Sequence, residues 1–326
     1  MTTWGFPYSG SKSAFADSLA MNFPKADHFY DLFGGGGSMT HFLLMNSKKF
    51  KHVHYNELDN KVFDLFKRAV NGDFNDDKFK PEWVSREDFF RLKDSDPYVK
   101  YICSFSNNGS AYQFCEQVEP YKKSMHMAVV FNEFDDLAKE ALGFSSWPKG
   151  VNSINQKRFY LRQKIEFYRV NNRIPKCLHQ FIPNKQLQRL EQLERLQQLQ
   201  QLKQLQQLER LERLQQLQQL ERLEQLGNLV CTNLDYRSVE IENNSVVYCD
   251  IPYLNAAKTI TYIKNGFDHS SFYDWALSRK FPIFISEYYM PDDFTCVYTL
   301  EKRNLYSPSI KKNNINEKLY WNGIKI

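Results

Sequence analysis

Consecutive glycines, Gly34 to Gly37, separate an apolar stretch ending in Tyr30-Asp31-Leu32-Phe33 from Ser38-Met39-Thr40-His41-Phe42-Leu43-Leu44. This junction narrows the fold more than any other feature of the chain. Residues without Cβ reach positive φ and leave their backbone N–H groups uncovered, so a strand can turn sharply into a helix and a ligand can lie against the turn. The pattern predicts strand, tight turn, helix. A second apolar stretch, Val53-His54-Tyr55, ends in Asn56-Glu57-Leu58-Asp59, and Val62, Phe63, Leu65 and Phe66 follow at helical spacing. Two strand-helix units in succession predict an α/β fold on a parallel sheet.

The acidic residue closing the second strand, Glu57, can accept hydrogen bonds from both hydroxyls of a ribose. Together with the glycine turn it suggests an adenosyl ligand. The glycine run lacks the Lys-Ser/Thr ending of a phosphate-gripping loop and does not match Gly-x-Gly-x-x-Gly, which disfavours a triphosphate or a dinucleotide. Taken alone, the glycines are also compatible with a plain flexible turn.

Far along the chain, Ser245-Val246-Val247-Tyr248-Cys249 reads as another strand and runs into Asp250-Ile251-Pro252-Tyr253. Open α/β sheets place their chemistry at such strand ends. An ionised Asp only accepts hydrogen bonds, whereas an exocyclic amine such as adenine N6 has two hydrogens to donate. Acceptors on those hydrogens favour the charge that develops as the nitrogen is alkylated, so Asp250 and a neighbouring backbone carbonyl would stabilise the transition state above the ground state. Tyr253 could stack on an extruded base, and Pro252 stiffens the turn. The plainer alternative is a strand end with a turn-forming Pro and a half-buried Tyr.

In their order along the chain these segments resemble the Dam-like, D12 class of DNA adenine-N6 methyltransferases. Tyr8-Ser9-Gly10-Ser11-Lys12 is similar to the family's N-terminal aromatic-Gly-Lys element and Asp31-Leu32-Phe33-Gly34-Gly35-Gly36 to its glycine motif. Asn56-Glu57 stands for an Asn-Asp pair, and Asp250 to Tyr253 for Asp-Pro-Pro-Tyr, with Ile251 replacing the first Pro. The resemblance implies a Rossmann-like S-adenosylmethionine-dependent methyltransferase sheet, with S-adenosylmethionine as cofactor and double-stranded DNA as partner. It implies a cofactor site of Tyr8, Lys12, Asp31, Phe33, Gly34, Gly36, Glu57 and Asp250, and a catalytic set of Asp250, Ile251, Pro252 and Tyr253. In this family the position of Ile251 is thought to act through its backbone carbonyl, which Ile retains. His269, in Phe267-Asp268-His269, is expected to start a helix rather than to serve as a base. Cytosine N4 or RNA as methyl acceptor, and an inactive DNA-binding relative, stay open as alternatives. A restriction endonuclease stands as a candidate partner; target sequence and oligomeric state are left unread.

Four zones are expected: residues 1–70 as the cofactor-binding part of the catalytic domain, 71–185 as a mostly helical target-recognition insertion, 186–227 as a repeat arm, and 228–326 as the active-site part. In the insertion, Arg158, Arg162, Arg169 and Arg173 are candidates to grip phosphates, and Asn107, Asn108 and Tyr112 to reach bases. A solvated basic helix face is the alternative reading. Lys and Arg number 43 against 38 Asp and Glu, a net +5 that suits a polyanionic partner without requiring one. The cysteines show no Cys-x-x-Cys pairing, so a reduced compartment and no structural zinc are expected. With neither an apolar signal core in Met1 to Lys12 nor an apolar run of membrane-spanning length, a cytoplasmic location is expected.

From Gln186 to Leu226 the chain uses only Leu, Gln, Glu, Arg and Lys, with Leu at every third position. Propensity predicts one helix of roughly 60 Å. At about 100° per residue, however, each Leu falls some 60° behind the last, so a straight helix cannot bury all of them on one face. A two-stranded zipper needs a repeat averaging about 3.5 and is disfavoured. A compact solenoid is the competing form, and the helix is preferred, as a spacer or docking arm.

Overall fold

The computed structural model describes residues 3–75, 78–171, 210–253, 266–300 and 316–326. Among them, β1 (His28–Asp31), β2 (His52–Asn56), β3 (Leu229–Thr232), β4 (Ser245–Cys249), β5 (Ile283–Glu287), β6 (Thr295–Leu300) and β7 (Glu317–Trp321) form one sheet in the order β3-β2-β1-β4-β5-β7-β6. The first five run parallel, and β7 and β6 are antiparallel. The expected Rossmann-like sheet is present.

Burial on both faces explains why β4 and most of β5 are apolar. Side chains alternate across the sheet. Phe29, Val246, Tyr248 and Phe284 face one core with α1 (Ala16–Met21) and α2 (Ser38–Asn46), whereas Tyr30, Val247, Cys249, Ile283 and Ile285 face another with Phe272, Trp275 and Ala276 of a helix that follows β4. Helix α3 (Asn60–Val70) is capped by Asp59, which accepts from the Lys61 and Val62 N–H groups, and it buries Val62, Leu65, Phe66, Ala69 and Val70. That i, i+3, i+4, i+7 stripe makes it amphipathic.

The insertion is helical, as expected: α4 (Arg86–Leu92), α5 (Pro97–Ile102), α6 (Glu119–His126), a π-helical turn over Met127–Phe131, α7 (Asp136–Leu142) and α8 (Ile154–Asn171). It does not fold apart from the sheet. Phe89, Val99, Tyr101 and Ile102 share a core with Tyr55 and Phe66.

Of the Leu-x-x segment, residues 186–209 lie outside the described residues. Residues 210–219 are α-helical (α9) and continue as a 3₁₀-helix over Leu220–Leu226. Leu211, Leu214, Leu217, Leu220 and Leu223 are all buried. The expected arm is therefore corrected for this part, which is a wall of the core packed on α2, α3 and β3. Two devices accommodate the three-residue period. Leu211 points into the α6–α8 cluster while Leu214 and Leu217 point into the sheet-side core, so the rotating stripe meets apolar surface on more than one side. From Leu220 the helix tightens to about 3.0 residues per turn, where i and i+3 eclipse and a triplet repeat stays on one face. Gly227 ends it at φ 67° and β3 follows.

Strand order reverses between β1 and β4. A crevice forms outside the carboxyl ends of strands at such a switch point.

Candidate active site

The loops that leave four parallel strands converge in this crevice, a cleft of about 440 Å³. Leu32 to Gly36 enter from β1, Asn56 to Leu58 from β2, Leu234 to Arg237 from β3 and Asp250 to Tyr253 from β4, with Tyr8 to Lys12 folding over from the N-terminal segment. Asn56 ties three of these exits together: its Nδ2 donates to the carbonyls of Leu32 and Leu234, and its Oδ1 accepts from Thr232 Oγ1 at 2.8 Å and the Leu234 N–H.

The glycines serve close packing as well as turning. A Cβ on Gly34 would come within 2.2 Å of the Tyr55 ring, and Gly35, at φ +50°, would bring one to 3.0 Å from the Tyr8 ring. Tyr55 and Tyr8 can hold the turn from either side because neither glycine carries a side chain. Glu57, buried at the tip of β2, accepts from the Gly35 N–H at 2.9 Å and the Asp59 N–H at 2.8 Å. An ionised carboxylate only accepts hydrogen bonds, which is the complement a ribose diol requires. A cleft of this volume lined by polar Glu57 and by apolar Phe33 and Leu58 suits an adenosyl group.

Of the residues expected at the cofactor, Tyr8, Lys12, Phe33, Gly34, Gly36, Glu57 and Asp250 line the cleft, and Asp31 does not. Asp31 is buried behind the turn, where its carboxylate accepts from Thr40 Oγ1 at 2.8 Å. Burial is the main cause that pushes its pKa up to about 7, with Asp250 and Glu57 adding to it. Its expected direct place at the cofactor is corrected to support of the turn.

Lys12 sits at the junction of the two halves of the chain. Its Nζ donates to Asp250 Oδ2 at 2.6 Å, to the Tyr253 hydroxyl at 2.7 Å and to the Gly10 carbonyl at 3.1 Å, and it lies 3.2 Å from Glu317 Oε1. Burial raises the Asp250 pKa, Lys12 lowers it and Glu317 raises it again, the net direction being upward. Burial, with Asp250 and Glu317 alongside, also holds the Tyr253 hydroxyl far above its ordinary range, so it stays protonated. The Tyr253 ring meets that of Tyr288 edge-on at 4.9 Å between centroids.

Ile251 takes the place of a Pro through packing. Its side chain is buried with Tyr236, Cys249 and Phe272, which fixes the backbone that a Pro ring would otherwise stiffen. His269 opens helix α10 (His269–Leu277), whose cap is Asp268, and its Nε2 lies 2.7 Å from the Pro252 carbonyl. A carbonyl only accepts, so this nitrogen carries the proton and the histidine braces the tetrapeptide.

Several candidates for DNA contact are corrected by their surroundings. Tyr112 is buried and donates its hydroxyl to the Val84 carbonyl at 2.6 Å, so it is a core residue. Arg158 is buried and bonds Asn155 and, at 3.0 Å, Gln215 of α9. Arg162 pairs with Glu212 of the same helix. These arginines join α8 to the repeat, which removes Arg158 from any phosphate and engages Arg162. Arg169 belongs to α8, and Arg173 lies outside the described residues. Asn107 donates to the Tyr101 carbonyl, and Asn108 accepts from Ser110, in a loop where Ser106 and Asn107 take positive φ.

Sequence reasoning missed Glu317, Ser38, which accepts from the Lys12 N–H, and the Leu234–Arg237 wall. Ser38 follows the glycine turn directly, whereas Glu317 and the Leu234–Arg237 wall are marked by no motif and acquire their places through strand order. Compared with known families, residues 8–275 match the model described as D12 class N6 adenine-specific DNA methyltransferase.

Proposed function

The chain belongs to the D12 class of N6 adenine-specific DNA methyltransferases, and from that premise we propose how its residues share the reaction. The enzyme methylates adenine N6 in DNA with S-adenosylmethionine as donor, and the family implies a base flipped out of the duplex. When bound, S-adenosylmethionine supplies an electrophilic methyl group.

Glu57 would hold the ribose hydroxyls, with Tyr8, Phe33, Gly34 and Gly36 shaping the adenosyl cleft and Lys12 closing it. Asp250 accepts from one N6 hydrogen and the Ile251 carbonyl from the other, which orients the nitrogen lone pair and stabilises the charge growing on it. Tyr253 supplies an aromatic face for the extruded base, which would be worth about 1–3 kcal/mol. One observation carries this reading: Asp250 opens onto the same cleft as Glu57, on opposite sides of the β1–β4 switch point.

Residues 1–70 and 228–326 then form the catalytic sheet, 71–185 the target-recognition region, and residues 210–226 its connection to that sheet. Recognition of a specific sequence is read onto the loop from Ser104 to Ser110, where Phe105 is exposed and Asn107 and Asn108 are half-buried. A restriction endonuclease is a partner to seek.

The test is methyl incorporation into DNA from a methylation-free bacterium, followed by nucleoside mass spectrometry. Asp250→Ala should lower the single-turnover rate at saturating S-adenosylmethionine by at least about 10²-fold. An Asp250→Ala enzyme working at the parental rate would sink the assignment.

A further inference from the structure

The cluster around Asp250 is completed by a side chain outside the matched residues 8–275. An antiparallel strand begins where its parallel neighbours end, so the first residue of β7, Glu317, arrives at the mouth of the site beside β5. Its carboxylate is fully buried. A buried carboxylate costs several kcal/mol unless it is paired and hydrogen-bonded, and here the compensation comes from the catalytic cluster: Lys12 Nζ at 3.2 Å and the Tyr253 hydroxyl, which donates to Glu317 Oε1 at 2.6 Å.

The Tyr253 hydroxyl has one proton and two carboxylates within reach, Glu317 at 2.6 Å and Asp250 Oδ1 at 3.3 Å. The shorter bond goes to Glu317. We propose that Glu317 is a positioning residue for methyl transfer, drawing the Tyr253 proton and part of the Lys12 charge away from Asp250 so that Asp250 keeps an oxygen free to accept from the substrate amine. The proposal rests on the catalytic assignment of Asp250 made above. Without Glu317, the Tyr253 hydroxyl turns to Asp250 Oδ1 and the Lys12 charge, already 2.6 Å from Asp250 Oδ2, is no longer shared, so the acceptor strength of Asp250 toward the amine falls. The ring of Tyr253 also loses the anchor that fixes it against Tyr288.

The charged and titratable groups around Asp250 are Lys12 from the N-terminal segment, Glu317 from β7, Tyr253 from its own loop, Asp31 at the end of β1, and Tyr248 and Cys249 of β4. Of these, Glu317 and Asp31 can add negative charge near neutral pH. Burial and Glu317 raise the Asp250 pKa while Lys12 lowers it. Removing the Glu317 charge thus moves the acid limb of the rate profile to lower pH.

The experiment compares parent, Glu317→Ala, Glu317→Gln and Asp250→Ala in single-turnover methylation of methylation-free DNA. S-adenosylmethionine affinity and thermal melting are measured alongside. Glu317→Gln, which keeps the shape and an acceptor for Tyr253, guards against simple unfolding of the alanine variant. Expected are a loss of at least about tenfold in rate for Glu317→Ala with donor affinity within about twofold. Glu317→Gln should recover part of the rate and shift the acid limb down by about half a pH unit or more. Parental rates and an unmoved acid limb in both Glu317 variants, with Asp250→Ala inactive, overturn the role of Glu317 alone. A rate loss without any shift in Glu317→Gln, tracking its melting temperature, also overturns it. An active Asp250→Ala overturns the premise instead.

Discussion

Asp31 closes β1 with its carboxyl behind the glycine turn, against Thr40 Oγ1. Its pKa stands at about 7 in the fold against an ordinary 3.8, chiefly through burial. Between those values the unfolded chain has released a proton that the folded chain keeps, so this group lowers stability as pH rises through the window. The stabilising contribution is fully present below the ordinary value and lost as pH climbs past about 7. Asp31→Asn keeps an acceptor for Thr40 and removes the titration. Denaturant melts from acid to neutral pH should therefore flatten for the variant by an amount on the order of a few kcal/mol relative to the parent. An equally sloping pair of curves would refute this account of Asp31. Ile251 makes a second residue-scale case. The buried side chain substitutes packing for the rigidity of Pro, so Ile251→Ala should cost roughly 2–4 kcal/mol in stability and lower the methylation rate as well. Ile251→Pro, which restores the ring but empties part of the pocket, should lose stability while keeping more of the rate.

At the scale of elements, the repeat changes character once it is packed. Helix α9 and its 3₁₀ extension present Leu214, Leu217, Leu220 and Leu223 to the same core as α3 and α5. Leu217→Ala should then destabilise the enzyme by about 2–5 kcal/mol, read as a fall in thermal or denaturant midpoint. A freely projecting arm would show no such cost. The same helix grips the base of the candidate recognition loop, because Arg213 Nη1 donates to the carbonyls of Ile102 and Ser104, each at 2.9 Å. Loss of this clamp in Arg213→Ala should raise KM for DNA about tenfold or more, a loss of roughly 1.5–3 kcal/mol for hydrogen bonds to a charged donor. The affinity for S-adenosylmethionine should be unchanged, since Arg213 does not line the cleft. Calorimetric titration of the donor beside DNA-dependence kinetics separates the two.

At the scale of the molecule, a net charge of +5 suits electrostatic attraction to a polyanion. Apparent DNA affinity should fall steeply and log-linearly with salt, and nitrocellulose binding across a salt series measures the slope. A flat response would place the recognition surface elsewhere. Among the described residues no helix is long and apolar enough to cross a membrane. The sheet also explains how the two ends of the chain act as one site. Asp250 and Lys12 are 238 positions apart yet joined by a 2.6 Å ion pair, because β4 inserts beside β1 rather than beside β3.

What the residues determined on their own is local. Glycines that permit a sharp turn, an acidic residue closing the next strand, and Asp250 to Tyr253 after an apolar run all have meanings set by backbone freedom and side-chain chemistry within a few positions, and those were legible. Over residues 210–226 the Leu-x-x stripe was legible as helical. Its burial was not, since a period of three is satisfied only by cores on different sides and a tightened last stretch, which the surrounding elements supply. Tyr112, Arg158 and Arg162 looked like nucleic-acid contacts because aromatic and basic residues alternate there, but partners distant in sequence, Val84, Gln215 and Glu212, took up their polar groups. Glu317 carried no signal at all. A lone Glu at the head of a strand acquires chemistry only when an antiparallel strand delivers it between Lys12 and Tyr253, and that delivery depends on strand order, a property of the whole sheet that no short stretch of sequence encodes.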